Sequence, residues 1–430
     1  MAETMHQVAP AVGRPWRRRA PPGGRGGRGV AVALVAALWV CLAGTAPAWA
    51  MTEAQLLGPG LEPEPVQVRG LYDGTLHYFD GQRRLQRRGV DAFVSLRQIA
   101  GRSSERAWQR LQGGGGMLLS DGQRLAGRWV GASEDGQALL WEHAQLGRFE
   151  VPLDRIAQLW HGEAGWAELD APPSEDVVVL SNGDRLRGFI ESVDASGVSM
   201  QMARGGEPVH LPATRMARVV LANPRATPAA GWHEVHLADG SRVLAGDMEM
   251  DEDGSLAARF ALVGGASVRQ VASHELVRVD FTGAGRRLVA VRELPRELVA
   301  GGEVFGLPVR PYVVGGALHL RAPVTVRFEL PDGAERFAGV AELATGPEAP
   351  RDLLDWADFD LLVRSGEAEH RWHLYGQQPR VRVNVALDAR SLEIELEPGV
   401  NGPIMDRLRL VEAYVLVVDQ QTPASPGARR

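Results

Sequence analysis

The chain of 430 residues contains no lysine, so all 47 basic side chains are arginines. That absence excludes Schiff-base catalysis, a lysine nucleophile and the lysine of a Walker-type phosphate loop. Cysteine is almost as scarce, with one copy at Cys41. No disulfide can form within the chain, and any domain must be held by its hydrophobic core alone. There is no Gly-x-Ser-x-Gly elbow and no helix motif of a zinc protease. Long apolar runs are missing too, apart from residues 30–44, which fall short of a comfortable membrane span. Six arginines (Arg14, Arg17, Arg18, Arg19, Arg25 and Arg28) precede that run, and Ala48-Trp49-Ala50 follows it. This order predicts a signal peptide over residues 1–50, cleaved near Ala50, and a mature protein that is periplasmic or secreted with no stable membrane span. Without those residues 41 basic side chains face 52 acidic ones, a net charge of −11. Nucleic-acid binding requires a basic footprint, so it is not expected.

What is present is a repeat. The phrase from Val178 to Asp194 reads as a hairpin: apolar alternation, an Asn182-Gly183 turn, then extended residues Leu186, Phe189, Ile190 and Val193. Gly188, inside the second strand, marks a bend or a close backbone approach. The phrase recurs at Leu118-Leu119-Ser120-Asp121-Gly122 and at Val235-His236-Leu237-Ala238-Asp239-Gly240. Turn glycines 57 to 61 positions apart signal a repeat architecture. Each unit has a second glycine-centred turn (Gly136, Gly197, Gly254) and a closing strand, about five strands in under 60 residues, which suits a small barrel. The expected units are 117–170, 176–222 and 232–283, with a partial unit at 66–112 behind an extended lead at 51–65. Linkers are expected at Gly113–Gly116, at Ala171-Pro172-Pro173-Ser174 and around Pro224.

Beyond Pro295 the pattern changes to longer period-2 strands separated by turns, the signature of a β-sandwich over 295–420. In Ser391 to Glu397 the alternation sends Leu392, Ile394 and Leu396 inward and Glu393, Glu395 and Glu397 outward. The predicted fold class is therefore all-β, tandem small barrels followed by a sandwich.

The hairpin resembles the first motif of Sm-like proteins at Leu180, Asn182, Gly183, Leu186, Gly188, Ile190, Val193 and Asp194. The resemblance implies the Sm-like barrel fold. RNA binding does not come with it, because Ala195-Ser196-Gly197 follows the acid and the closing strand lacks the second motif. The C-terminal region resembles the novel putative carbohydrate-binding module (NPCBM) family. The residues that carry this are Phe328-Glu329-Leu330-Pro331, Phe337-Ala338-Gly339, Phe359-Asp360-Leu361-Leu362-Val363 and Asp406-Arg407-Leu408. It implies a jelly-roll sandwich and carbohydrate as ligand. The combination resembles exported proteins of planctomycete-type bacteria.

Several clusters invite chemistry. His233 and His236, like His370 and His373, could share a metal on a helix, but on strands the two rings of each pair point to opposite faces. The acidic run from Asp247 to Gly254 lacks the closing glutamate of a calcium loop and reads as a solvated turn. Asp355, Asp358 and Asp360 suggest a glycosidase pair only if the fold opposes them across a sugar. Trp129, Trp141, Trp160 and Trp232 read as barrel and interdomain packing. Trp356, Trp372 and Tyr375 are the candidate sugar contacts, with Trp372 and Leu374 on one strand face and His373 and Tyr375 on the other. No catalytic residue, cofactor or metal is expected. The function expected is non-catalytic binding or scaffolding, with polysaccharide or a cell-surface protein as partner and self-association left open. The alternatives are pure structural assembly by the barrels, or a glycoside-active enzyme.

Overall fold

The computed structural model describes residues 52–97, 99, 107, 115–161, 172–202, 205–226, 231–262, 268–282, 285–301, 303–304, 306–308, 310–344, 355–403 and 405–419. The expected signal peptide lies outside them. The described chain is all-β, and no helix among the described residues is long and apolar enough to cross a membrane.

The three repeated hairpins are built alike to the level of single hydrogen bonds. Gly122, Gly183 and Gly240 have φ of 88°, 90° and 95°. Their amides donate to the carbonyls of Leu119, Leu180 and Leu237 at 2.9–3.0 Å. In each turn the Asx side chain accepts from the amide two residues on: Asp121 from Gln123, Asn182 from Asp184 and Asp239 from Ser241. Asn/Asp-Gly was the readable part of the repeat because only it supplies both the acceptor and the left-handed glycine.

Four five-stranded groups result. In the third, Asp176–Leu180 pairs with Arg185–Val193, which pairs with Gly197–Met202, which pairs with Val209–Pro212. A 3-10 turn, Ala213–Arg215, then leads the chain into Met216–Val220, which returns to pair with Asp176–Leu180. The fourth group repeats this from His233–Leu237 to Leu276–Asp280. The second runs from Gly116–Leu119 to Ile156–Trp160, with its bent strand interrupted at Gly127. The 3-10 turns before the closing strands (Val90–Ala92, Leu153–Arg155, Ala213–Arg215, Ser273–Glu275) are not encoded in any apolar periodicity.

Residues 51–65, expected as an extended lead, contain the strand Thr52–Leu57. It pairs both with Pro63–Tyr72 and with Ser95–Arg97, so the first group also has five strands. Its entry loop, Gly58-Pro59-Gly60, lacks the Asn/Asp-Gly phrase, which hid it. Gly197, expected at a turn, is instead the first residue of a strand and abuts the Leu211 carbonyl.

Gly188 behaves as its position suggests. A Cβ there would sit against the backbone carbonyl of Gln201, well inside van der Waals contact. Neither backbone can yield without breaking the ladder, so Gly188→Ala is expected to cost about 1–3 kcal/mol. Urea denaturation checks this, and an unchanged midpoint would remove the close-approach explanation.

The groups associate through their closing strands. Ser95–Arg97 pairs antiparallel with Leu276–Asp280, and Ile156–Trp160 with Met216–Val220. Counted from the 3-10 turns, the two pairings share one register. Leu96 faces Val279 in one, Leu159 faces Val219 in the other, and the residues on either side exchange partners symmetrically. All four central residues are buried in one core that runs through all four groups. Trp141 and Trp160 are 1% exposed, as packing residues should be.

The C-terminal sandwich has two sheets. One is ordered Tyr312–Val314, Ala317–Arg321, Arg407–Val418, Ala334–Leu343, Arg380–Ala386. The other is ordered Arg296–Gly301, Val324–Glu329, Ser391–Pro398, Asp358–Ser365, Ala368–Tyr375. Leu392, Ile394 and Leu396 point into the core between them, as the alternation requires. Arg286–Ala290, before the expected boundary at 295, pairs with the last strand. Leu57, Leu61 and Val94 of the first barrel pack on Leu416, with Leu288, Ala338 and Val418 around them. The Asn384 amide also donates to the Gly60 carbonyl at 2.9 Å.

Candidate functional site

Strand alternation separates the predicted sugar contacts. Leu361, opposite Trp372, and Leu374 are both fully buried, so the face carrying Trp372 is the core face. Trp372 packs at the margin of that core and stacks on the exposed ring of His370, with centroids 6.0 Å apart. Tyr375 lies on the solvent face, its ring 5.3 Å from His373. Trp356 is 59% exposed in the turn just before Asp358, at the end of the sheet where Asp358 and Tyr375 are paired. The structure therefore puts Tyr375 and Trp372 on opposite faces of one strand, with Trp356 exposed in the turn that leads into the neighbouring strand.

Beside Tyr375 lies a polar cluster. His373 approaches Asp358 through Nε2 at 3.1 Å and Asp360 through Nδ1 at 2.8 Å. Arg371 reaches Asp360 at 2.8 Å and Glu397 at 3.1 Å. Beneath Asp358, the carboxylate of Asp406 accepts from the Asp358 amide at 3.0 Å, and its Oδ2 has no hydrogen-bond partner. Burial pushes the Asp406 carboxyl above its ordinary value. Asp358 and Asp360 share one strand face and one histidine, an arrangement without the opposed geometry of a glycosidase pair. What it offers is a set of hydrogen-bonding groups at the end of the sheet that the exposed Trp356 turn enters.

A second polar cluster lies at the junction of barrels and sandwich, and no local motif announces it. Asp280, 2% exposed, accepts from Ser95 Oγ at 2.6 Å and pairs with Arg278 at 2.7 Å. His236 Nε2 lies 2.9 Å from Arg278 and 3.2 Å from Asp280. Glu293 faces Arg124 at 3.1 Å, Arg242 at 3.6 Å and Arg292 at 3.7 Å. The guanidinium groups of Arg97 and Arg278 stack on Tyr414 at 4.2 and 4.6 Å. Burial opposes the Glu293 and Asp280 carboxylates, yet the surrounding arginines hold both well below the usual range. Burial also lowers the Arg124 guanidinium to about 10, which leaves it cationic at neutral pH.

Glu234, His236 and Asp280 converge closely enough to ligate a metal. Arg278, however, already sets its own cation against His236 and Asp280. The cluster therefore reads as a structural ion network. His233 turns the other way, edge-on to Phe281, as strand geometry requires of residues three apart. The acidic stretch after Asp247 ends in a turn closed by the Gly254 amide on the Asp251 carbonyl, with Glu252 paired to Arg69 at 2.6 Å.

Comparison with solved structures finds carbohydrate-binding modules. A family 51 module from Clostridium perfringens in complex with methyl-galactose is 12% identical, with 23% of this chain and 68% of that one covered and a TM-score of 0.20. A longer C. perfringens structure of a family 51 module in complex with GlcNAc, with adjoining INT domains, is 12% identical at a TM-score of 0.25. The match covers 45% of this chain and 39% of that one. A family 29 module is 12% identical with 32% and 100% covered and a TM-score of 0.17. At these scores the site rests on its own geometry. No family model and no curated protein matches the chain, which stands as an all-β chain of small barrels and a sandwich.

Proposed function

We propose that this is an exported, non-catalytic binding and scaffolding protein that recognises carbohydrate through its C-terminal sandwich. The observation that carries the reading is Trp356. It is 59% exposed in the turn two residues before Asp358, and Asp358, Asp360, His373 and Tyr375 cluster at the end of the sheet that this turn enters. A large exposed aromatic costs solvation unless a ligand covers it, and sugar rings pair one apolar face with a polar rim. The barrels, joined pairwise through their closing strands, serve as the scaffold that presents this edge.

A glycan array on the full-length protein tests the proposal. For a glycan that binds, Trp356→Ala is expected to cost about 2 kcal/mol, roughly a thirtyfold rise in Kd. Tyr375→Ala should weaken binding in the same direction. Trp372→Ala should act chiefly on stability, because that ring lies against the core. Binding lost only in the Trp372 variant would move the site to the other face, and no binding to any glycan would end the carbohydrate reading.

A further inference from the structure

The two outer faces of the sandwich carry charge in opposite ways. On the sheet that contains Trp372, every arginine of the solvent ladder has acids: Arg327 with Glu393, Arg364 with Glu369, Glu393 and Glu395, and Arg371 with Asp360 and Glu397. The other sheet presents one cross-strand row over all five strands: Tyr312, His319, Arg409, Glu342 and Arg380. Arg321 and Arg407 lie directly opposite each other two positions along. Glu342 pairs with Arg409 and stands 3.8 Å from Arg380. Among the described residues no carboxylate comes within ion-pair distance of Arg321 or Arg407, and burial, followed by repulsion from Arg407, disfavours the charge on Arg321.

Like charges directly opposed on neighbouring strands destabilise a sheet. The sandwich core, on the alternate face, takes nothing from them. Among the described residues, this row and the pair beside it bring together four guanidinium groups, those of Arg321, Arg380, Arg407 and Arg409, with the Glu342 carboxylate, in a chain whose net charge is −6. At one end of the row the Tyr312 and His319 rings stack at 4.9 Å with planes 12° apart, and Tyr312 is 51% exposed. Five strands make a track of about 19 Å, room for several sugar rings. Guanidinium forks match carboxylates, and the stacked pair offers a platform for a ring face.

From this we infer that the Tyr312–Arg380 face binds a linear polyanionic glycan of the uronate class. The inference rests on the carbohydrate reading but places a second surface on the opposite sheet from Trp356. Polygalacturonate titrated into the full-length protein tests it, with neutral galactan and poly-glutamate as controls. Polygalacturonate is expected to bind saturably, with affinity that falls as salt rises. Arg321→Gln combined with Arg407→Gln should weaken it by about tenfold or more, while Tm stays level or rises because a like-charge pair is gone. Trp356→Ala should leave this binding intact.

Equal affinity in the parent and double variant would overturn the inference, and so would poly-glutamate binding as tightly as the polyuronate. Neutral glycans bound without polygalacturonate would sink this inference and keep the carbohydrate reading. If no glycan of either kind bound, both would fall.

Discussion

Glu293→Gln is expected to destabilise the protein by about 3 kcal/mol, because it leaves three neighbouring guanidinium groups without their shared counter-charge. The value sits at the low end for a broken buried pair, since the Glu293 side chain retains 22% of its exposure. The sign of the pH dependence follows from the depressed carboxylates. Glu293 and Asp280 have folded values below their unfolded ones, so their contribution is complete above about pH 5 and is lost as pH falls through 4 and below. Denaturant titrations from pH 7 to pH 2.5 should therefore show the parent losing stability steeply below pH 4 and Glu293→Gln losing less. A parent–variant difference that stays constant over that range would show that Glu293 contributes by packing and not by charge.

The second large effect concerns Trp160 and Gly116. Trp160 is 1% exposed, and a Cβ at Gly116 would overlap its indole. Trp160→Ala is expected to cost about 3–5 kcal/mol through the cavity it leaves. Gly116→Ala alone should cost about 1–3 kcal/mol by overpacking. Together they should cost less than their sum by about 1–3 kcal/mol, because the alanine methyl enters space the indole has vacated. Chemical denaturation of the four proteins gives the coupling directly. Strict additivity would mean that the overlap is relieved elsewhere and that Gly116 is small for another reason.

The sequence made the hairpins legible because Asn/Asp-Gly chemistry is local. The turn at Asn182-Gly183 needs only its own four or five residues. The alternation of Leu392, Ile394 and Leu396 was legible for the same reason, and so was the opposed placement of Trp372 and Tyr375. The first barrel's opening strand was not, since Thr52–Leu57 has neither a turn signal nor strict alternation and is defined by its partners. The junction network was hidden more thoroughly. Ser95 meets Asp280 across 185 residues and Arg124 meets Glu293 across 169, and each of these side chains looks like an ordinary surface residue in its own segment. The basic row from Tyr312 to Arg380 is equally non-local, because five strands drawn from distant parts of the chain compose it. Exposure of Trp356 likewise emerges only from tertiary structure. Its neighbours Asp355 and Asp358 signalled a polar segment and nothing about the ring.

The pairing of closing strands also sets an order of assembly. The second and third barrels are partners, and they lie inside the interval between the first and the fourth, which are partners in turn. The arrangement is that of nested brackets. A chain emerging from its N-terminus can complete the inner bracket as soon as the third barrel exists. The first barrel, though made earliest, keeps the edge Ser95–Arg97 open until Leu276–Asp280 arrives. The sandwich closes later still, because Arg286–Ala290 must wait for Arg407–Val418, the last described strand. The oldest part of the molecule is thus among the last to be sealed, and during that wait its unpaired edge is the place most exposed to mispairing.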